Sequence, residues 1–164
     1  MRYFIGRTSL LAAAAAFALV GCSHKVEVQT GQGSVSVDQS NGSTTIKSKS
    51  GEVSIGKSSV DPASLGLPVY PGATQSNDNS SVSINDTSKG EGAQFVVLTT
   101  ADPFDKVYDY YKGQLPSGSE KMKVETGGSS VAQFQIGTDK DQKVVMITGA
   151  KDKTTIELTH QTKP

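Results

Sequence analysis

Residues 95–115 read Phe-Val-Val-Leu-Thr-Thr-Ala-Asp-Pro-Phe-Asp-Lys-Val-Tyr-Asp-Tyr-Tyr-Lys-Gly-Gln-Leu, and this stretch decides the fold. Phe95 to Thr100 are all apolar or β-branched, which suits a strand. Asp102-Pro103-Phe104-Asp105 then reads as a helix start. Asp102 suits the cap, Pro103 the first helical position, and Asp105 adds negative charge to the first turn. Phe104, Val107, Tyr108, Tyr111 and Leu115 recur at helical spacing as one apolar stripe, and Pro116 and Gly118 stop it. The spacing predicts a helix over 103–115, about 20 Å long at about 1.5 Å per residue.

Outward from this stretch the period changes to two. Val82 and Ile84 alternate with polar residues upstream. Downstream, Met122/Val124, Ala132/Phe134/Ile136 and Ile156/Leu158 alternate likewise, while Val144 to Ile147 is a continuous apolar run. Gly127-Gly128, Thr138 to Asp141 and Gly149 to Asp152 supply turns. Such short connections require antiparallel neighbours. The expected fold is α+β, an antiparallel sheet of about six strands with one helix on one face, in the order β-β-α-β-β-β-β. Its expected core draws on Phe95, Val97, Phe104, Val107, Tyr108, Tyr111 and Leu115, and on Phe134, Ile136, Val145, Ile147, Ile156 and Leu158.

Asp61-Pro62 and Gly66-Leu67-Pro68 mark a boundary before this part. The chain therefore divides into residues 1–21, residues 22–60 and an α+β domain at 61–164. Residues 24–59 repeat with a period of nine: HKVEVQTGQ, GSVSVDQSN, GSTTIKSKS and GEVSIGKSS. Apolar or β-branched pairs recur at Val26/Val28, Val35/Val37, Thr44/Ile46 and Val53/Ile55. Each unit reads as a short strand plus a turn, so the units suit a small β-solenoid or a meander. The Gly/Ser/Lys content equally suits a tether. Repeats with so few apolar residues need neighbours to offset about 1–2 kcal/mol of backbone entropy per residue. Asp38 is the only Asp among them, which argues against a calcium-binding nonapeptide roll.

The N-terminus carries Arg2 and Arg7, then an unbroken apolar run from Leu10 to Val20. That run is about half the roughly 20 residues needed to span a bilayer, so it reads as a signal segment. Leu19-Val20-Gly21-Cys22 closes it and resembles the lipobox of bacterial lipoproteins, with all four positions matching around the only Cys. The resemblance implies cleavage before Cys22 and lipidation of Cys22 by diacylglyceryl and fatty acyl chains such as palmitate. Ser23, in place of Asp, resembles the class sorted to the outer membrane. Both arginines lie in residues 1–21, so the mature chain would hold 14 Lys against 16 acidic residues, a formal −2, with no Arg. Absence of the residue that grips phosphate bidentately argues against nucleotide and nucleic-acid partners.

Two further resemblances concern the rest of the chain. The repeats are similar to the Gly-Ser-Val repeats of bacterial adhesin domains. Gly66-Leu67-Pro68-Val69-Tyr70-Pro71-Gly72-Ala73, with Thr99 to Asp102 and Val107 to Tyr111, is similar to a group of uncharacterised bacterial envelope proteins. That likeness covers residues 65–160 and implies a small α+β domain without a known activity.

Little catalytic chemistry stands out. Asp102, Asp105 and Asp109 share a helical spacing that suits a carboxylate or metal set, but capping and solvent exposure account for them. His24 and His160 read as lone histidines, no Gly-x-Ser-x-Gly elbow occurs, and Gly31-Gln32-Gly33 lacks the rest of a dinucleotide fingerprint. No catalytic, cofactor or metal residues are expected. Tyr110 falls off the apolar stripe and is the candidate partner contact. The expected function is a lipid-anchored, non-enzymatic binding or structural module of the cell envelope. The membrane is its partner through Cys22, and an envelope protein or peptidoglycan is its further partner. Alternatives are an adhesin-like surface module, or an envelope enzyme using Asp102 or Asp105.

Overall fold

The structure, a computed structural model, describes residues 24–30, 33–40, 42–56, 59–75, 81–150 and 152–164. The expected signal segment, Cys22 and Ser23 lie outside the described residues, as does the Gly31-Gln32 part of the Gly-x-Gly run. Eleven strands form one antiparallel sheet: β1 (His24–Thr30), β2 (Gly33–Ser40), β3 (Ser43–Ser48), β4 (Gly51–Gly56), β5 (Thr74–Gln75), β6 (Ser81–Asp86), β7 (Glu91–Thr100), β8 (Glu120–Thr126), β9 (Ser129–Gly137), β10 (Asp141–Ala150) and β11 (Lys153–Thr162). The helix α1 (Phe104–Gln114) lies between β7 and β8 in the chain. The spatial order is β1-β2-β3-β4-β6-β7-β11-β10-β9-β8, with short β5 pairing the far end of β7.

This corrects the expectation of an α+β fold with about six strands. The described residues are mainly β, and among them the sheet has eleven strands. The difference comes chiefly from the repeats, which form neither a tether nor a separate solenoid. They run as a four-strand meander whose last strand, β4, pairs with β6 from Gly51↔Asp86 to Ile55↔Val82. The edge of β6 offers unpaired backbone groups, and strand addition satisfies them. Sequence spacing cannot reveal which edge a repeat will join.

Register decides where the side chains point. Directly paired residues share a face. The pairs Val26↔Val37, Val37↔Ile46, Ile46↔Val53, Val53↔Ile84 and Ile84↔Ala93 therefore put every apolar repeat position on the face of Ala93 and Phe95. The helix lies on the other face. There Val96, Leu98, Ile156, Leu158, Val145, Ile147, Ala132 and Phe134 are buried beneath Phe104, Val107, Tyr108, Tyr111 and Leu115 of the helical segment. Phe95 and Val97, expected in that core, are half-buried on the opposite side. A run of four apolar residues carries no alternation, so its phase is not legible from sequence.

A second element covers the same face as the helix. Residues 59–73 cross the sheet as a strap, with Val60, Leu65, Leu67 and Tyr70 in the core. A 3-10 turn, Pro62–Leu65, shapes the strap; the Asp61 carboxylate accepts from the Ala63 N–H at 3.0 Å, and Gly66 ends the turn at φ 64°. At the start of the crossing Ser59 and Ser81 hydroxyls lie 2.8 Å apart, and both bond the Gly56 carbonyl. Helix and strap thus form a second layer over β7, β11, β10 and β9.

Among the described residues the other face has no such layer. Seven large apolar residues are exposed among the described residues: Val26, Val28, Ile46, Ile55, Ile84, Met122 and Val124. Register places all of them on the face away from the helix. Strand charges stand mainly on the helix side, as with Lys25, Glu27, Asp38, Lys47, Glu52 and Lys123. Glu157 is the one charged residue in the interior of the bare face among the described residues, Asp86, Glu91 and Lys153 standing at its hairpin ends.

The helix meets β10 at a glycine. A Cβ on Gly149 would lie 2.7 Å from Phe104 Cβ and 3.2 Å from its ring. Phe104 Cβ cannot retreat without moving the start of the helix. Gly149→Ala is therefore expected to destabilise the fold by about 1–3 kcal/mol through overpacking. The urea midpoint should fall with the slope unchanged, and an unchanged midpoint would show that the helix does not sit this close to β10.

Candidate functional site

Three polar arrangements and one apolar surface are candidates for function. The first joins strap, helix and sheet. Tyr70, buried in the strap, donates its hydroxyl to Asp102 Oδ2 at 2.7 Å. Lys106 Nζ reaches both Asp102 carboxylate oxygens at 3.0 Å, and Thr154 Oγ1 donates to the Asp102 carbonyl at 2.7 Å. Asp102 is therefore not the helix cap expected from sequence. Pro103 takes the N-cap position with no side-chain hydrogen bond, and the Asp102 carboxylate turns to Tyr70 instead.

The Tyr70 and Lys106 donors hold the Asp102 carboxyl below its ordinary range, against partial desolvation. Burial, reinforced by the Asp102 carboxylate, pushes the Tyr70 phenol up to about 12. This is an ionised acceptor with a neutral donor, which suits a structural junction.

The second arrangement clamps the edge strand β8 to the helix. Lys123 Nζ lies 4.3 Å from the Tyr108 ring centroid and 5.7 Å from that of Phe104. The same ammonium pairs with Glu125 at 2.7 Å and lies 3.9 Å from Asp105. Tyr108 donates to Glu120 Oε2 at 2.9 Å and accepts from Lys112 Nζ at 3.2 Å. Its chemistry is a cation over two aromatic faces, tying strand to helix.

The third is the closest approach to a catalytic set. His160 Nε2 lies 2.8 Å from Asp141 Oδ1, a pair not foreseen because the two residues stand 19 apart. The β10–β11 register, with Lys143 opposite His160, is what brings them together. His160 also borders a hollow of about 300 Å³ shared with Ser83, Gln94 and Glu91. Ser83 pairs with Gln94, and Gln94 with His160, so Ser83 stands two strands from the imidazole. At about 4.8 Å per strand that is near 10 Å, far beyond nucleophile–base contact.

The remaining candidates separate. Asp105 is exposed near Lys123, and Asp109 is exposed. Tyr110 is half-buried; its hydroxyl donates to the Val69 carbonyl at 3.0 Å, and its ring meets Tyr70 and Tyr111 edge-on at 5.1 Å. His24 opens β1. Among the described residues no three His, Cys, Asp or Glu side chains gather as a metal group, and no helix is long and apolar enough to cross a membrane. Comparison with known proteins finds no match: no family model, no curated protein and no solved structure matches the chain.

The Tyr70–Asp102 junction makes a pH prediction. Asp102, lowered in the fold, contributes stability that is present above the unfolded carboxyl value near ~4 and is lost as pH falls through its native value. Tyr70, raised in the fold, contributes stability that is present below 10 and is lost as pH rises towards about 12. Tyr70→Phe should cost about 1–2 kcal/mol at neutral pH. It should also flatten part of the decline between pH 10 and about 12, leaving the share of buried Tyr111, whose phenol is also raised by burial. Urea midpoints across pH check this; a wild-type alkaline profile in the variant would remove Tyr70 from the account.

Proposed function

We propose that the chain is a lipid-anchored cell-envelope protein, held in the outer membrane, whose sheet acts as a binding or structural module and not by catalysis. The observation that carries this reading is the position of the sheet relative to Cys22. Strand β1 begins at His24, two residues after the lipobox cysteine. Two extended residues reach at most about 7 Å, so a lipid on Cys22 would fasten the free edge of the sheet itself to the membrane surface. The anchor and the sheet would then act as one device with no long tether between them.

The polar groups support the same reading. Asp102, Lys123 and Tyr108 are each engaged between structural elements. An envelope protein or peptidoglycan would be met by the sheet or by the part-exposed edge of Tyr110. The exposed repeat strands favour a second reading, an adhesin-like module facing outward. Protease cleavage within 24–56 on intact cells would favour that reading over a periplasm-facing one.

Lipidation is checked by feeding cells an alkyne fatty acid and capturing the protein. The wild type should carry the label and a mature mass that begins at Cys22 plus lipid. Cys22→Ala should lose the label and remain uncleaved or become soluble. Equal mass and equal membrane partition in the two proteins would contradict the anchor.

A further inference from the structure

We propose that the bare apolar face of the sheet is the docking surface for a second copy of this chain, the two sheets stacking face to face. This goes beyond the lipid-anchored reading and does not depend on it.

The first reason is the missing layer. Domains bury each apolar sheet face against another layer. Helix and strap cover only the far side of β7, β11, β10 and β9. Strands β1 to β4 have polar and charged residues on that side, and Val26, Val28, Ile46 and Ile55 exposed on the other. A layer over those residues must come from outside the described chain.

The second reason is the chemistry of the face. Most strand charges stand on the opposite side; among the described residues Glu157 is the one charge in the interior of the bare face, with Asp86, Glu91 and Lys153 at its hairpin ends. A surface this poor in charge offers no complement to a strongly charged partner. It meets an identical surface with little like-charge repulsion. The repeat makes the match regular: each repeat strand presents one or two Val or Ile side chains at the same level, so the ridges of one copy can fit the gaps of the other about 10 Å away.

The third reason is area. Ten strands at about 4.8 Å make a face about 48 Å wide. A stripe about 15 Å deep on it covers roughly 700 Å², close to the ~800 Å² per partner of a standard stable interface.

The test uses the full chain in cells, with a photoreactive phenylalanine at Ile46 or Ile84 on the bare face, or at Lys47 on the other. Irradiation should give an adduct of twice the chain mass from Ile46 and Ile84, at least about tenfold above that from Lys47. Adding Ile84→Lys to the Ile46 probe should reduce the adduct at least about tenfold, as expected for charge placed in an apolar contact. Ser83→Lys, its neighbour on the other face, should leave the adduct in place and so controls for folding. Equal adducts from both faces, adducts only of another mass, adducts to lipid, or none would each overturn the proposal.

Discussion

The structure depends on a mismatch of size. One helix of eleven residues is about 16 Å long, whereas ten paired strands span about 48 Å. Helix and strap together can roof only the strands beside them, and they roof β7, β11, β10 and β9. There the apolar residues of both layers are buried, and Gly149 lets the helix approach closely enough to exclude voids. Beyond β6 the sheet continues because backbone pairing can continue without a roof. The repeat strands are held by the ladder and by cross-strand Val and Ile pairs, each worth about 0.2–1 kcal/mol, and by no second layer from the described chain.

The polar groups serve this architecture. Asp102 gathers Tyr70 of the strap, Lys106 of the helix and Thr154 of β11, fastening both halves of the roof to the sheet. Lys123 and Tyr108 fasten the edge strand β8. That edge carries Lys121, Lys123 and Glu125, and the opposite edge carries Lys25 and Glu27. Charges at open edges hinder strand-to-strand aggregation, whereas the interior of the bare face between them carries only Glu157 among the described residues.

Much of this was legible in the sequence. The apolar stripe of 104–115 and its proline and glycine limits predict a helix over 103–115, and the helix runs Phe104–Gln114. Gly127-Gly128 reads as a turn, and both residues adopt positive φ, 60° and 86°, between paired Thr126 and Ser129. The size of the sheet was not legible, because alternation marks a strand but not its neighbours. Nor was the phase of Phe95 to Leu98, a run apolar on both faces. Asp102 looked like a cap because Asp before Pro usually is one; a tyrosine 32 positions away redirected it. The His160–Asp141 pair likewise arises from register, which sequence spacing does not encode. The resemblance to a lipobox is different in kind, since it rests on four consecutive residues, Leu19 to Cys22, and needs no register to be read.

The central claim is that helix and strap roof one face of β7, β11, β10 and β9, and that the layer over the opposite face comes from a second copy. Amide exchange on the full chain at low and at high concentration tests it most directly. Core strands β7, β9, β10 and β11 should exchange slowly at both concentrations. Strands β1 to β4 should exchange quickly when dilute and become protected as concentration rises. Protection in β1 to β4 equal to that of the core and independent of concentration would contradict the account, as would fast exchange there at every concentration.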